Sequence, residues 1–343
     1  MNILRIKKDT TAYEILKIIY CTEEFPRQAL NMISGNKLWI KRLVRQLINE
    51  KYISLYKKKE IRSLRLLQDG KQALMNVSNG KLEFIKEQNS TGDLKKLYRM
   101  HRISEAWAMM YSTGIKINPQ EYLNNKDPPT FWTSLEIKYD ENISRNINSS
   151  RFVGAFTNGS KSYIIYNTYD GLLNWSDIKE CETKLFLERY IKIDGCIILG
   201  RKIENALEVL NSDGGKRQPV IKAETSFEHS YFLTLDDNGI DFLKIMTIEN
   251  WEEKLITEIL TGDEIKRKLN SIECDGLSDD NIPIMVACSL DLTRIKRLKS
   301  AMDINRINSV ELFCFSYQID ILRRFFDNRA TIYEVDRKEL TLK

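Results

Sequence analysis

The chain has 343 residues, 42% hydrophobic and 29% charged, a composition typical of a folded protein of two or three domains and not of a disordered one. No apolar run approaches the roughly 18 residues of a membrane-crossing helix, which excludes such a segment. The net charge of +5 is uneven, since residues 1–100 hold 21 basic and 10 acidic residues and residues 101–343 hold 32 and 38.

Three helices are predicted in the first 50 residues. Thr10 or Thr11 can cap the first, in which Ala12, Ile15, Leu16 and Ile19 recur at helical spacing. Pro26 predicts the first turn of a second short helix, FPRQALNMI, which SGN ends.

The third helix is predicted from about Asn36 to about Glu50. Its apolar residues fall at i, i+3, i+4, i+7 and i+8, which predicts a buried stripe: Ile40, Leu43, Val44, Leu47 and Ile48. The opposite side carries residue types that hydrogen-bond to phosphates and base edges: Lys41, Arg42, Arg45, Gln46 and Asn49.

A β-hairpin and a further helix are predicted next. YISLY and IRSLRLL read as two strands joined by the turn KKKE, which places Lys57, Lys58 and Lys59 at the tip. QDGKQAL then predicts a turn at Asp69-Gly70 that leads into a helix.

Three helices, a hairpin and a helix over about residues 10–80 resemble the winged helix-turn-helix family, and LRLLQDGKQAL resembles its usual ending. The resemblance implies that helix 36–50 enters the major groove of DNA and that the hairpin, as the wing, reaches flanking phosphates or the minor groove. The implied DNA-binding residues are Lys37, Lys41, Arg42, Arg45, Gln46, Asn49, Lys57, Lys58, Lys59 and Arg62. The alternative is a solvated lysine turn on a domain that contacts proteins.

The rest of the chain predicts an α/β domain. RFVGAF, SYIIYNT and GCIILG read as strands and RKIENALEVL as a helix, whereas HSYFLTLDDNGIDFLKIM predicts strand pairs about Asp237-Asn238-Gly239. The last 60 residues alternate three strands (IPIMVACS, VELFCFS, ATIYEV) with two helices (LTRIKRLKSAM, YQIDILRRFF), which predicts a partly parallel sheet.

Several kinds of chemistry are excluded by missing motifs. With only His101 and His229 there is no His-hydrophobic-His pair, which excludes a relaxase of the HUH kind, and we interpret both histidines as surface or core residues. No GxxxxGK[ST], GxGxxG or GxSxG occurs, and the six scattered cysteines form no CxxC, so buried reduced thiols are expected.

One candidate catalytic set is present. Nucleases of the PD-(D/E)xK class hold Mg²⁺ with an acid and an ExK pair, and DPPTFWTSLEIK supplies Asp127, Glu136 and Lys138 in that order. A second ExK at Glu264–Lys266 indicates that such triplets arise by chance in this composition, so a salt pair at a strand end is the alternative.

A winged helix followed by strands such as SSRFVGAF and SYIIYNT is similar to the replication-relaxation proteins of plasmids and integrative elements. This resemblance implies a role in plasmid replication or conjugal mobilisation and a second domain of restriction-endonuclease-like fold. Gly154 stands where an acid of a competent nuclease is expected, so we expect a non-nucleolytic platform.

The sequence therefore predicts an α+β protein with a winged helix DNA-binding domain (1–80), a helical linker (81–110) and an α/β domain (111–343). The expected function is sequence-specific binding of double-stranded DNA in the cytoplasm, with no membrane partner and no cofactor, while the α/β domain recruits a protein of the replication or conjugation machinery or forms a homodimer. The alternatives are a Mg²⁺-dependent nicking enzyme and a ligand-sensing transcription regulator.

Overall fold

A computed structural model describes residues 5–78, 93–117, 129–135, 151–169, 192–211, 227–260 and 272–341. Those residues form ten α-helices and thirteen strands in three sheets, so the predicted α+β class is confirmed. The chain divides into two compact units. Unit 1 takes Met1–Ser144, Val153–Phe156 and Leu235–Ile240, and unit 2 takes Arg145–Phe152, Thr157–Thr234 and Asp241–Lys343.

Unit 1 opens with helices and strands in alternation. In chain order its described elements are α1 (Thr11–Thr22), β1 (Phe25–Pro26), α2 (Leu30–Ile33), α3 (Lys37–Asn49), β2 (Ile53–Lys58), β3 (Ile61–Leu66), α4 (Gln68–Val77), α5 (Leu94–Ser112), β4 (Lys116–Ile117) and β5 (Thr130–Thr133). A single 3-10 turn, Arg27–Ala29, links β1 to α2. Strand β6 (Phe152–Thr157) and helix α7 (Asp237–Met246) contribute residues to both units.

Helices α1 and α3 begin where the sequence predicts. The hydroxyl oxygen of Thr10 accepts a hydrogen bond from the backbone N–H of Tyr13 at 3.3 Å, which satisfies one of the free donors at the start of α1. The stripe predicted for α3 is buried at Ile40, Leu43, Val44 and Leu47, and Ile48 is half-buried. Apolar burial on that side of α3 therefore fixes which residues it presents to solvent.

The first three strands form one antiparallel sheet in the order β1-β3-β2. The predicted hairpin is confirmed. β2 and β3 pair from Ile53 opposite Leu66 to Lys58 opposite Ile61, and they enclose a two-residue turn. β1 adds a short third strand, with Phe25 opposite Leu64 and Pro26 opposite Ser63.

Helix α5 belongs to the core of unit 1 although its sequence lies beyond the hairpin. Its Trp107 is fully buried and donates its indole N–H to the Glu14 carboxylate of α1 at 2.6 Å. Its Ser104 hydroxyl donates to the hydroxyl of Thr22 at 2.9 Å, and Glu105 accepts from the side chain of Gln28 at 2.9 Å. α5 overlaps the stretch predicted as a linker, and these contacts make it a packed element.

Unit 2 is an α/β unit. Its described elements are β7 (Ser162–Tyr169), β8 (Gly195–Gly200), α6 (Glu204–Leu210), β9 (His229–Thr234), α8 (Trp251–Ile259), β10 (Gly276–Leu277), β11 (Pro283–Val286), α9 (Leu292–Asn305), β12 (Val310–Cys314), α10 (Ile319–Phe325) and β13 (Ala330–Glu334). The predicted alternation of strands and helices near the end of the chain is confirmed.

The strands of unit 2 run mostly parallel. β7, β8 and β9 pair in parallel, and β8 is buried along its whole length, as expected of a strand covered on both faces. β11, β12 and β13 also pair in parallel, while β10 pairs with β11 in the antiparallel direction. The segment before α9 reaches β9 through a bridge between Tyr231 and Asp291.

The second predicted helix is shorter than expected. Phe25 and Pro26 are a strand, and the α-helical part is confined to Leu30–Ile33. Pro26 adopts an extended conformation (φ −64°, ψ 128°), which its fixed φ allows equally well, and an edge strand tolerates its missing N–H.

The turn predicted at Asp69-Gly70 is wrong, because both residues lie in the first turn of α4. The chain changes direction one residue before α4, at Leu67, whose N–H donates to the Tyr52 carbonyl at 2.9 Å. Gly70 is needed for a different reason: a β-carbon there would lie 2.1 Å from the carbonyl oxygen of Tyr52.

The strand pair predicted about Asp237-Asn238-Gly239 is also wrong, since β9 is followed directly by helix α7. The carboxylate of Asp236 accepts hydrogen bonds from the N–H groups of Asn238 at 3.0 Å and Gly239 at 3.2 Å, and so caps the helix. The letters Asp-Asn-Gly favour both a hairpin turn and a helix start, and burial of Phe242, Leu243 and Met246 decides for the helix.

The cysteines and helices agree with two further expectations within the described residues. Cys21, Cys196, Cys274, Cys288 and Cys314 are free and buried, and Cys181 lies outside that part of the chain. None of the helices found there has the length and apolar character needed to cross a bilayer.

Candidate functional site

The candidate site lies on α3 and on the hairpin β2–β3. Asn36 starts α3, where its side-chain oxygen accepts from the Trp39 N–H at 3.0 Å. With one side of α3 packed inward, its remaining residues are presented to solvent. Leu38, Arg42, Arg45 and Asn49 recur at i, i+4, i+7 and i+11 and share the middle of this exposed face.

The residues predicted for DNA binding are nearly all exposed. On α3 these are Lys37, Lys41, Arg42, Arg45, Gln46 and Asn49, and on the hairpin Lys57, Lys59 and Arg62; Lys58 alone is half-buried. We call the nine exposed side chains the basic surface.

The cations of the basic surface are its seven lysines and arginines. None of them has an ion-pair partner among the described residues. Two other cations of unit 1 are paired: Arg65 with Glu24, and Lys96 with Glu23. Residues 37–66 contain ten basic and two acidic residues, so this segment carries a net charge of +8. Such a surface attracts phosphates or other polyanions.

The hairpin concentrates charge at its end. Lys57 and Arg62 are directly opposite each other in the register, and both are exposed. Like charges in this arrangement destabilise a sheet by tenths of a kcal/mol. Lys59, the first residue of the turn, has φ 52°, a conformation that costs a non-glycine residue roughly 1 kcal/mol. A bound anion would offset the repulsion between Lys57 and Arg62.

A buried ionic cluster supports the hairpin from the inner side. Glu24, with no exposed side-chain surface, accepts hydrogen bonds from the Ser63 hydroxyl at 2.7 Å and from the Arg65 Nε at 2.6 Å, and lies 3.1 Å from the Nε2 atom of His101. Burial alone would raise the pKa of Glu24, but the bonds from His101, Ser63 and Arg65 outweigh it and lower the pKa. The carboxylate therefore stays ionised and ties β3 to α5.

Arg65 also lies over the ring of Tyr56, 3.3 Å from its centroid. Side chains alternate along a strand, so Arg65 and Arg62 point to opposite faces of β3. This alternation separates an arginine that holds the hairpin together from one that is presented to solvent.

Sequence reasoning missed two residues of this surface. Leu38 is 70% exposed and Trp39 is 43% exposed, both in the first turn of α3 between Lys37 and Lys41. Their position beside the cations of α3 lets them add apolar contacts to whatever the basic surface binds. The available signal was their position outside the stripe defined by Ile40, Leu43 and Leu47.

The candidate catalytic residues Asp127, Glu136 and Lys138 lie outside the described residues, so the nicking alternative stays a prediction. The structure does explain Gly154. A β-carbon at this position would lie 2.2 Å from the carbonyl oxygen of Trp132, so no side chain fits there.

Comparison of the chain with protein-family models, with curated proteins and with solved structures found no match.

Proposed function

We propose that unit 1 is a winged helix that binds double-stranded DNA, with α3 in the major groove and the β2–β3 hairpin as the wing. Support comes from the element order α1-β1-α2-α3-β2-β3-α4 and the sheet order β1-β3-β2, an arrangement similar to that family's. The observation that carries the proposal is the set of seven exposed cations on α3 and the hairpin without an acidic partner among the described residues.

The roles of the two elements differ. On α3, Arg42 and Arg45 can form two hydrogen bonds to guanine, and Gln46 or Asn49 can do so to adenine. Leu38 offers an apolar contact for a thymine methyl group. On the hairpin, Lys57, Lys59 and Arg62 contact phosphates and hold the protein on the duplex without reading sequence.

The broader setting follows from the resemblance to replication-relaxation proteins. In this proposal the protein acts at an origin or regulatory site of a plasmid or another mobile element. Unit 2 recruits a protein of the replication or conjugation machinery or forms a homodimer, and no cofactor is needed for binding.

The test is DNA binding by variants of the full chain. A duplex is first selected from a random library, and its affinity is then compared with that of a scrambled duplex over a range of salt concentrations. Arg45→Ala should weaken binding of the selected duplex by about 1–3 kcal/mol, roughly 5- to 150-fold, and affect the scrambled duplex much less.

Lys57→Ala should weaken both duplexes alike and reduce the slope of log affinity against log salt by about 1, because one phosphate contact is lost. Lys57 is a better choice than Lys58, which is half-buried and makes a further interaction. Lys202→Ala, at an exposed lysine of unit 2, is the matched control and should change nothing. Equal losses on both duplexes from Arg45→Ala and Lys57→Ala would argue against groove reading by α3. An absence of salt-dependent binding would reject the proposal.

A further inference from the structure

Unit 2 contains a cavity of about 180 Å³ that the DNA-binding proposal does not use. It lies where the start of β9, helix α8 and the first turn of α9 meet. Its polar lining includes His229, Glu252, Asp275, Ser289, Asp291 and Arg294. Its apolar walls come from Tyr231 and Trp251, whose rings meet edge to face at 5.3 Å, with Ile256 beside them.

His229 lines this cavity, and its ring is held in a fixed orientation. Its Nδ1 lies 2.7 Å from Oδ2 of Asp291. The other oxygen, Oδ1, accepts from the backbone N–H groups of Ser230 at 3.1 Å, Thr293 at 3.1 Å and Arg294 at 3.3 Å. A carboxylate surrounded by donors accepts from Nδ1, so Nε2 is directed away from Asp291. Nε2 has no hydrogen-bond partner among the described residues.

Burial works against a charged His229, but the hydrogen bond and the charge of Asp291 outweigh it, and the pKa of His229 is raised. The protonated ring donates from Nε2 and the neutral ring accepts there. A group such as an amide, which has both a carbonyl and an N–H, can bond to either form.

The charges around the cavity are already paired within the protein. Arg294 lies 2.6 Å from Asp275, which also accepts from the Val286 N–H at 2.7 Å. Glu252 is bound by Lys161 and by the hydroxyl of Tyr231. The positive end of α9 is occupied by Asp291. Because these charges are already matched, a charged ligand would lose its hydration with little gain in pairing, so a neutral ligand is favoured.

The volume of the cavity suits a ligand of one ring. An apolar cavity of about 150 Å³ is known to hold benzene, so about 180 Å³ admits a single aromatic ring with one small substituent. The Ser289 hydroxyl, which has no hydrogen-bond partner among the described residues, offers a second polar contact.

The described residues form no metal site here. No group of three or more metal-binding side chains occurs in the described part of the chain, so His229 and Asp291 have no third protein ligand there.

We propose that this cavity binds a small neutral ligand, a single aromatic or heteroaromatic ring with an amide or similar group that hydrogen-bonds to Nε2 of His229. The ring lies in the cavity beside Ile256, while the side chains of Tyr231 and Trp251 line it but are almost fully buried. The site is independent of the basic surface, so it stands whether or not unit 1 binds DNA. It makes unit 2 a small-molecule binding unit, as a ligand-sensing regulator requires.

Three small molecules of the same shape but different charge test whether the cavity prefers a neutral ligand. The measurements use the full-length protein. Benzamide is neutral, benzamidinium is a cation and benzoate is an anion, and binding of each is followed by ligand-observed NMR up to about 10 mM. Benzamide should bind with a dissociation constant on the order of 1 mM or tighter, as expected for so few atoms. The two charged probes should bind at least about tenfold more weakly.

Substitutions in the cavity test its location. His229→Asn retains a donor near the position of Nδ1 and deletes Nε2, so it should weaken benzamide about tenfold. His229→Gln places an amide near Nε2 and should retain most of the affinity. Ile256→Trp should fill the cavity and abolish binding. Ile304→Trp is its matched control, because Ile304 is 80% exposed on α9, and it should bind like the wild type.

Either of two results overturns the proposal. In the first, the unaltered protein does not bind benzamide, or it binds a charged probe equally well or more tightly. This result does not depend on the folding of any variant. The other is benzamide binding that survives in a folded Ile256→Trp protein, as judged by its melting temperature, since the ligand would then occupy another place.

Discussion

Gly70 illustrates how a single residue joins two elements of unit 1. Its α-carbon approaches the start of β2 so closely that a side chain would overlap the carbonyl of Tyr52. The same carbonyl accepts the hydrogen bond from Leu67 that turns the chain from β3 into α4. The position at which α4 leaves the sheet is therefore set by the absence of one methyl group.

Gly70→Ala is expected to destabilise the protein. Alanine favours a helix over glycine by about 1 kcal/mol, but the overlap at 2.1 Å involves backbone atoms and should cost more, about 3 kcal/mol, for a net loss of about 2 kcal/mol. Thermal and urea unfolding measure the change. Gly35→Ala is the control, since no heavy atom lies within 4 Å of its β-carbon position. An unchanged stability in Gly70→Ala would mean that α4 can shift freely.

At the scale of elements, the sequence predicted best where a signal is local. Capping residues and a continuous apolar stripe located α1 and α3, and alternating residues located the hairpin. The two-residue strand β1 carries no such pattern. It is a strand because Phe25 and Pro26 pair with Leu64 and Ser63, which lie far along the chain. Helix α7 was mistaken for a hairpin because its capping residues also favour a turn.

The sites show the same limit. The charged residues of the basic surface were predictable, since solvent exposure follows from the stripe on the opposite side of α3. The exposure of Trp39 was not, because an aromatic residue is expected inside. His229 looked ordinary in the sequence, since Asp291 lies 62 residues further on and only the fold brings the two together.

The ionic cluster at Glu24 links three elements and should make stability depend on pH. Because the folded-state pKa of Glu24 lies below its ordinary value of 4.5, the carboxylate stabilises the fold fully above that value, and this contribution is lost as the pH falls through the folded-state pKa. Glu24→Gln removes the negative charge, so Arg65 and His101 lose their ionised partner. The expected loss is about 3 kcal/mol near neutral pH.

The difference in unfolding free energy between the wild type and Glu24→Gln should shrink below about pH 4.5. Denaturant titrations at several pH values measure it. Glu60→Gln, at an exposed residue of the hairpin turn, should change stability by less than about 0.5 kcal/mol at every pH. A constant difference over the whole pH range would show that the Glu24 carboxylate is not the titrating group.

At the scale of the whole molecule, the two units differ in charge and in what they offer to a partner. Unit 1 presents cations on α3 and the hairpin that have no ion-pair partner in the described part of the chain, whereas the cavity of unit 2 is surrounded by charges that are already matched. The first arrangement suits a polyanion and the second an uncharged molecule. Two ligands of unlike chemistry are thus expected from one chain.

Helix α5 leads to a prediction about truncated proteins. Residues 1–78 contain every element of the proposed winged helix but lack Trp107 and Ser104, which bond to α1. Without α5, the buried carboxylate of Glu14 loses its partner and apolar residues of α1 are exposed. Residues 1–117 should therefore unfold cooperatively on heating, while residues 1–78 should show weak helical circular dichroism and no cooperative transition. Equal melting curves would show that α5 adds no stability.

The hydrogen bonds from α5 to α1 also bear on how such a gene can change over evolutionary time. A recombination event that replaced residues 1–80 with another domain would separate α1 from α5, the helix that completes its core. The product would fold poorly. A crossover after residue 112 would transfer residues 1–78 together with α5. Natural fusion proteins that contain a segment like residues 1–78 should therefore contain α5 as well.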